Sequence, residues 1–156
     1  MTQSKLITPK EIKLIGISGR IANQDSQSAL VSINETWSKF FNINLAQMLS
    51  HPKNPGVIFA VYHDYETDYS GAYSLTLGYQ VESFSEIPPD CIALTVPAAK
   101  YQIFTAQGPM PAALGQTWGL IWNSPLERTY QFDFEVYDQR YHRPEDKEVD
   151  IYIGVK

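Results

Sequence analysis

The stretch QFDFEVYD, residues 131–138, alternates apolar and polar side chains. Alternation with a period of two predicts a β-strand, whose successive side chains point to opposite faces. One face would be apolar, and the other would carry two carboxylates and a phenol, from Asp133, Glu135 and Tyr137. Most charged strand faces are simply solvated, so the first question is whether this face serves a binding site.

The stretch has a counterpart earlier in the chain, in IFAVYHDY at residues 58–65. There AVY at 60–62 aligns with EVY at 135–137, at a separation of 75 residues. Upstream of each, the sequence predicts a strand and a helix, and Trp37 in the first helix matches Trp118 in the second at a separation of 81. An internal repeat constrains the fold more firmly than local propensity does.

Periodicity predicts the elements of the first copy. Residues 11–21 form a predicted strand and residues 57–84 a predicted β-hairpin, with a helix between them. Either Asp25 or Ser26 is a suitable N-cap for that helix. Its predicted apolar stripe consists of Leu30, Ile33, Trp37 and Phe40 or Phe41.

The second copy repeats this order, with a strand at 99–108, a helix at 109–122 and a hairpin over 128–156. The linker at 85–98 contains two adjacent prolines and is expected to end in a short strand.

We therefore expect an α+β fold in one domain, 1–156, built from pseudo-repeats of about 10–82 and 99–156. The expected architecture is a tandem strand-helix-strand-strand duplication that forms an antiparallel sheet. Two helices should cover one face and leave a ligand groove on the other.

Composition excludes several classes of protein. The 156 residues have a net charge of −5 with scattered lysines and arginines, which argues against direct nucleic-acid binding. A single cysteine, Cys91, excludes an internal disulfide. Since no apolar run is long enough to span a bilayer, we expect a soluble, cytoplasmic protein without membrane contact. Neither a phosphate-binding loop nor metal-ligand spacing occurs, so we expect no cofactor and no metal.

Glu135 is the leading candidate for a site residue. Tyr137 shares its predicted face, Tyr62 is the counterpart of Tyr137 in the first copy, and Tyr152 is expected on the polar side of the last strand. Aromatic rings around a carboxylate suit a flat cation, because the π-face of a ring attracts positive charge. At helical spacing, Trp37 and Trp118 fit a core stripe as well as a ligand cage, and Trp118 is expected to show an edge to the groove.

Taken together, the hairpin at 56–81, the helix segment TWGLIW, FDFEVYD and the closing VDIYIGV resemble the GyrI-like small-molecule-binding domains. These domains also serve as effector-binding domains of AraC- and MerR-type regulators. The resemblance covers nearly the whole chain and is strongest to stand-alone members, some carried on mobile integron cassettes. It implies a ligand against a late-strand glutamate, which matches Glu135. The implied aromatic lining is Trp118, Tyr137, Tyr152, Trp37 and Tyr62.

The resemblance therefore implies binding of a lipophilic, cationic small molecule such as a drug. The chain lacks a helix-turn-helix segment, so we expect it to sense a ligand without reading DNA itself. A hydrolase of strained, cyclopropane-containing substrates is an alternative, with Glu135 and Tyr137 or Tyr152 as acid and base. A protein-interaction module that modulates gyrase is a second alternative. A partner regulator or a second copy of the chain both stay open as partners.

Overall fold

The computed structural model describes residues 4–22, 25–49, 52–68, 70–84 and 86–156. Within those ranges no helix is long and apolar enough to cross a membrane. The same ranges contain, in chain order, β1 (Ser4–Ile7), β2 (Ile12–Ile21), α1 (Ser26–Asn42), α2 (Leu45–Met48), β3 (Ile58–His63), β4 (Tyr73–Gln80), β5 (Ile92–Val96), β6 (Tyr101–Gln107), α3 (Ala112–Trp122), β7 (Arg128–Tyr137), a short 3-10 helix (Gln139–His142) and β8 (Glu148–Val155).

All eight strands form one antiparallel sheet in the order β1-β6-β8-β7-β3-β4-β2-β5. The first copy supplies β2, α1, β3 and β4, and the second supplies β6, α3, β7 and β8. The two copies join where β3 pairs with β7. The predicted α+β class and tandem strand-helix-strand-strand duplication are therefore confirmed.

The outermost strands are exchanged between the copies. β1 precedes the first copy but pairs with β6 of the second, whereas β5 precedes the second copy and pairs with β2 of the first. β5 is the short strand expected at the end of the linker, and β1 lies in a segment for which no element was predicted. Each copy therefore ends, at the outer edge of the sheet, in a strand that precedes the other copy in the chain.

Helix α1 begins at a local side-chain cap and is held close to the sheet. The Asp25 carboxylate accepts a hydrogen bond from the backbone N–H of Ser28 at 2.7 Å, which satisfies a donor of the first turn. A Cβ on Gly19 of β2 would lie 2.3 Å from Thr36 Oγ1 of α1, so glycine permits this close approach. Leu30, expected on the buried stripe, is instead 56% exposed, and Ala29 is buried in its place.

Both long helices cover the same face of the sheet, as predicted. Ala29 and Phe40 of α1 pack in one cluster with Ala60, and Ile121 of α3 packs with Ile151. Glu135 lies opposite both Ala60 on β3 and Ile151 on β8. The carboxylate face of β7 is therefore the face beneath the helices.

The expected position of the ligand groove, on the face without helices, is accordingly wrong for Glu135. That opposite face is filled by apolar side chains of the sheet itself, including Phe59, Val61, Tyr101 and Phe134. Alternation along a strand separates two faces, but it does not indicate which face the helices cover.

Candidate functional site

Glu135 lies at the centre of the molecule, where the two copies meet. It is only 2% exposed, and its cross-strand partner on β3 is the fully buried Ala60. The small side chain opposite leaves the carboxylate directed toward the helices rather than into a close-packed neighbour.

The carboxylate accepts hydrogen bonds from a helix and from its own strand. Trp118 of α3 donates its indole Nε1–H to Oε2 at 2.7 Å. The Tyr137 hydroxyl donates to Oε1 at 2.8 Å. Tyr62 also favours the ionised form of the carboxylate and so lowers its pKa. Both carboxylate oxygens are therefore held in place by aromatic donors.

Burial raises the pKa of Glu135 above its ordinary value of 4.5, and the hydrogen bonds from Trp118, Tyr137 and Tyr62 offset only part of that rise. The same burial, together with the nearby Glu135 charge, raises the pKa of both Tyr62 and Tyr137. The two phenols therefore remain protonated donors across the ordinary pH range.

No lysine, arginine or histidine of the described ranges forms an ion pair with Glu135. Asp133, two residues earlier on the same face, is paired with a cation, since Arg128 Nη2 lies 2.7 Å from its Oδ2. Gly154 N donates to Oδ1 of Asp133 at 2.9 Å, and the Tyr65 hydroxyl donates to Oδ2. Of two neighbouring buried carboxylates, one has a countercharge and the other has only neutral donors.

Two aromatic pairs cross between the copies on either side of Glu135. Trp37 of the first copy packs edge-on against Tyr137 of the second, with ring centroids 5.3 Å apart and planes at 81°. Trp118 of the second copy packs edge-on against Tyr62 of the first, at 5.6 Å and 76°. The two pairs are equivalent under the internal repeat. Together these four rings form an aromatic enclosure with twofold pseudosymmetry. It surrounds a single carboxylate, that of Glu135.

The aromatic enclosure is closed around Glu135 in this structure but reaches the surface along both helices. Phe41 stacks on Trp37 at 5.7 Å and is 58% exposed. Trp122 lies 6.3 Å from Trp118 and is 55% exposed. Trp37, Trp118 and Tyr62 are only partly buried, so the enclosure is thinnest at these rings.

Five of the six predicted site residues lie together: Glu135, Trp118, Tyr137, Trp37 and Tyr62. Tyr152 was expected to share their face, and that expectation is wrong. β8 pairs with β7 so that Tyr152 opposes Phe134, whereas Ile151 opposes Glu135. Tyr152 therefore stacks on Phe134 at 4.4 Å, on the face without helices. An acid–base pair of Glu135 and Tyr152 is consequently excluded in this arrangement.

Other residues join the site without having been predicted as ligand contacts. Tyr73 packs against Tyr62 at 5.6 Å, and Tyr65 packs against Tyr73 at 5.9 Å. The sequence did not indicate the Arg128–Asp133 pair, because an irregular stretch of β7 separates the two residues. The described residues contain no group of three or more His, Cys, Asp or Glu able to hold a metal ion.

Comparison with known proteins finds similar sequences over nearly the whole chain. A sequence model of the Cass2 family, described as an integron-associated effector binding protein, matches residues 5–155. YobU of Bacillus subtilis strain 168, which its name assigns to the transcriptional regulators, is 29% identical over 154 residues, and the alignment covers 96% of each chain.

Solved structures share the fold. Integron cassette protein VCH_CASS2, from the mobile metagenome of Vibrio cholerae, superposes with a TM-score of 0.76 and 25% identity, covering 98% of this chain and 95% of the cassette protein. SAV2435, solved with tetraphenylphosphonium bound, superposes with a TM-score of 0.79 and 18% identity, covering 99% and 94%. The match to SAV2435 shows a common fold.

Proposed function

This chain belongs to the Cass2 family of integron-associated effector binding proteins, and we propose that its effector is a lipophilic aromatic cation held against Glu135. One observation carries the proposal: Glu135 is a buried carboxylate with neutral hydrogen-bond donors but no cationic partner among the described residues. A buried charge is costly unless it is paired. An incoming cation supplies the missing charge.

The energies of charge pairing and of cation–π contact together favour an aromatic cation over a small inorganic one. At ~4 Å and an effective dielectric near 20, a pair of opposite charges gains about 4 kcal/mol before desolvation costs. Each aromatic face adds roughly 0.5–2 kcal/mol toward a positive charge. The crossed pairs of Trp37 with Tyr137 and Trp118 with Tyr62 supply four such rings. A flat or bulky apolar body fills this space better than a hydrated ion does.

We propose reversible capture rather than turnover. The hydrolase alternative requires Glu135 and either Tyr137 or Tyr152 to act as acid and base. Of the two tyrosines, only Tyr137 lies beside Glu135. Burial and the Glu135 charge keep Tyr137 protonated, so the phenol acts as a fixed donor to the carboxylate. Tetraphenylphosphonium, the ion bound in the solved structure of SAV2435, is a suitable probe of this proposal.

The test is calorimetric titration of tetraphenylphosphonium into the wild type and into Glu135→Gln. Glutamine has the same shape and can still accept a hydrogen bond from Trp118, so the fold is preserved while the charge is removed. We expect at least about a tenfold loss of affinity in Glu135→Gln. Equal affinities would refute the role of Glu135 as counter-ion.

Two controls accompany this titration. Tetraphenylborate has the shape of tetraphenylphosphonium with the opposite charge, and we expect the wild type to bind it far more weakly. Tyr152→Phe removes a hydroxyl from the opposite face and should bind tetraphenylphosphonium as the wild type does. Comparable binding of the two ions by the wild type would mean that the apolar surface alone drives capture.

A further inference from the structure

A second polar centre lies on the same face as Glu135, two residues away along β7. Asp133 is fully buried, and its cross-strand partner on β3 is Tyr62 of the aromatic enclosure. Its countercharge, Arg128, comes from the start of the same strand. The site therefore has an anion at one end and an arginine at the other.

Arg128 has hydrogen-bonding capacity that its partner does not use. Its side chain is 4% exposed, and only Nη2 donates to Asp133, at 2.7 Å. The Nε and Nη1 atoms are buried and have no hydrogen-bond acceptor among the residues that the structure describes. A guanidinium presents its N–H groups in a rigid fork, and buried donors of this kind are almost always satisfied in native proteins. The fork is therefore available to an acceptor supplied from outside the chain.

The backbone holds this arginine in an unusual geometry. Between the pairs Arg128–Val155 and Asp133–Ile153, five residue steps on β7 oppose two on β8, so the strand bulges. Within the bulge Tyr130 has φ = 54°, a left-handed conformation that is costly for a bulky residue. Its ring lies 4.4 Å from the guanidinium carbon of Arg128. Bulges and strained residues of this kind often redirect a side chain at a functional site.

A continuous row of aromatic rings joins the two polar ends. Each ring in the row contacts the next with centroids 5.6–5.9 Å apart. The row begins beside Glu135 and ends at the ring that lies against Arg128, in the order Trp118, Tyr62, Tyr73, Tyr65 and Tyr130. A rearrangement of these rings that admits a cation to Glu135 would therefore also open a surface that leads toward Arg128.

We infer that the site prefers aromatic cations that carry an oxygen acceptor at the end remote from the positive charge. The cationic end lies against Glu135, and the acceptor, a carboxylate or carbonyl oxygen, receives hydrogen bonds from Nε and Nη1 of Arg128. This inference rests on the proposed function, since it assumes that Glu135 holds the cationic end. It goes further by predicting which cations are preferred.

Three fluorescent dyes with one xanthylium core test the inference. Pyronin Y has the dimethylamino-substituted core alone, tetramethylrhodamine methyl ester adds a phenyl ring with an ester, and tetramethylrhodamine has the free carboxylate. Their affinities are measured by fluorescence anisotropy with the wild type, Glu135→Gln, Arg128→Lys and the double variant Arg128→Met/Asp133→Asn. Arg128→Lys keeps a positive charge for Asp133 but has no guanidinium fork. The double variant removes both charges, so it leaves no buried ion unpaired if the lysine variant fails to fold.

The quantity compared between variants is the ratio of rhodamine affinity to pyronin Y affinity. In the wild type, at least one of the two rhodamines binds about tenfold more tightly than pyronin Y, and in both Arg128 variants that preference is lost while pyronin Y affinity stays within about twofold. Preference for the acid over the ester identifies a carboxylate as the acceptor, and equal preference identifies a carbonyl oxygen. Either result supports the inference.

An unchanged ratio of rhodamine to pyronin affinity in both Arg128 variants would overturn the inference and leave the proposed function intact. Retention of pyronin Y binding by Glu135→Gln would instead contradict the proposed function. A rhodamine preference that is lost in the Arg128 variants would still support the role of Arg128 in that case. Failure of the wild type to bind any of the three dyes would contradict both.

Discussion

Ala60 and Glu135 are equivalent residues of the two copies and also lie directly opposite one another in the β3–β7 pair. The axis that relates the copies therefore passes between them. Around this point the aromatic surroundings are matched, since Trp37 contacts Tyr137 as Trp118 contacts Tyr62. The charge is not matched. The fold thus encloses one anion in a nearly symmetric site.

This relationship predicts that the anion can be moved across the axis. Ala60→Glu alone would place two carboxylates opposite each other in a buried pair, and we expect a loss of about 2–4 kcal/mol in the free energy of unfolding at neutral pH. The double variant Ala60→Glu/Glu135→Ala should recover most of that loss, because Trp37 and Tyr62 are then placed as donors. Urea unfolding measures both, and equal stability of the single and double variants would contradict the argument.

The affinity for tetraphenylphosphonium should depend on pH through Glu135. Burial raises the pKa of this carboxyl above 4.5, and a cation binds its ionised form. Affinity should therefore increase as pH rises through the raised pKa, by up to about tenfold per pH unit below it. The control is Glu135→Gln, whose weaker binding should show no such dependence. Parallel pH profiles for the two proteins would assign the titration to another group.

Stability without ligand should have the opposite dependence on pH. A carboxyl whose pKa is raised on folding favours the protonated native state, so its stabilising contribution is complete below 4.5 and is lost as pH rises through the folded pKa. Glu135→Gln has no charge to bury. Its free energy of unfolding should therefore exceed that of the wild type by about 1 kcal/mol or more at pH 8. The difference between the two proteins should shrink toward pH 4.5, as measured by urea unfolding at several pH values. A constant difference would contradict this account.

The indole donor of Trp118 should set the position of the pH profile. Its hydrogen bond is the largest contribution that lowers the pKa of Glu135 against the effect of burial. Trp118→Phe keeps a ring but removes Nε1–H, so the midpoint of the affinity profile should shift to higher pH. Trp37→Phe is the matched control from the other copy, since Trp37 contacts the Tyr137 ring. An equal shift in both variants would mean that packing, not the indole donor, controls the pKa.

The sequence predicted those features that depend on local pattern or on the internal repeat. The match of residues 60–62 to 135–137 was sufficient to predict the duplication and the special position of Glu135. The preference of helix N-termini for a side-chain oxygen left Asp25 and Ser26 as cap candidates, and Asp25 is the cap. The cap is a signal within a few residues, whereas the duplication is detected by comparing two distant stretches of the chain.

Features that depend on the register between paired strands, or on an irregularity within a strand, were not predictable. Tyr152 lies on the wrong face for the site because β8 pairs with β7 through Tyr152–Phe134, beyond the bulge at Tyr130. The same bulge brings Arg128 onto Asp133, a contact that no regular period indicates. The burial of Glu135 was also undetermined, since an alternating strand is compatible with either a solvated or a covered polar face.

The central claim is that a lipophilic cation binds against Glu135 beneath the helices. It is tested most directly by a crystal structure with tetraphenylarsonium, in which the anomalous signal of arsenic locates the positive charge. We predict one arsenic peak enclosed by Trp37, Tyr62, Trp118 and Tyr137, next to the Glu135 carboxylate. An arsenic peak on exposed Phe41 or Trp122, or near Tyr152 on the opposite face, with Glu135 still covered, would contradict it.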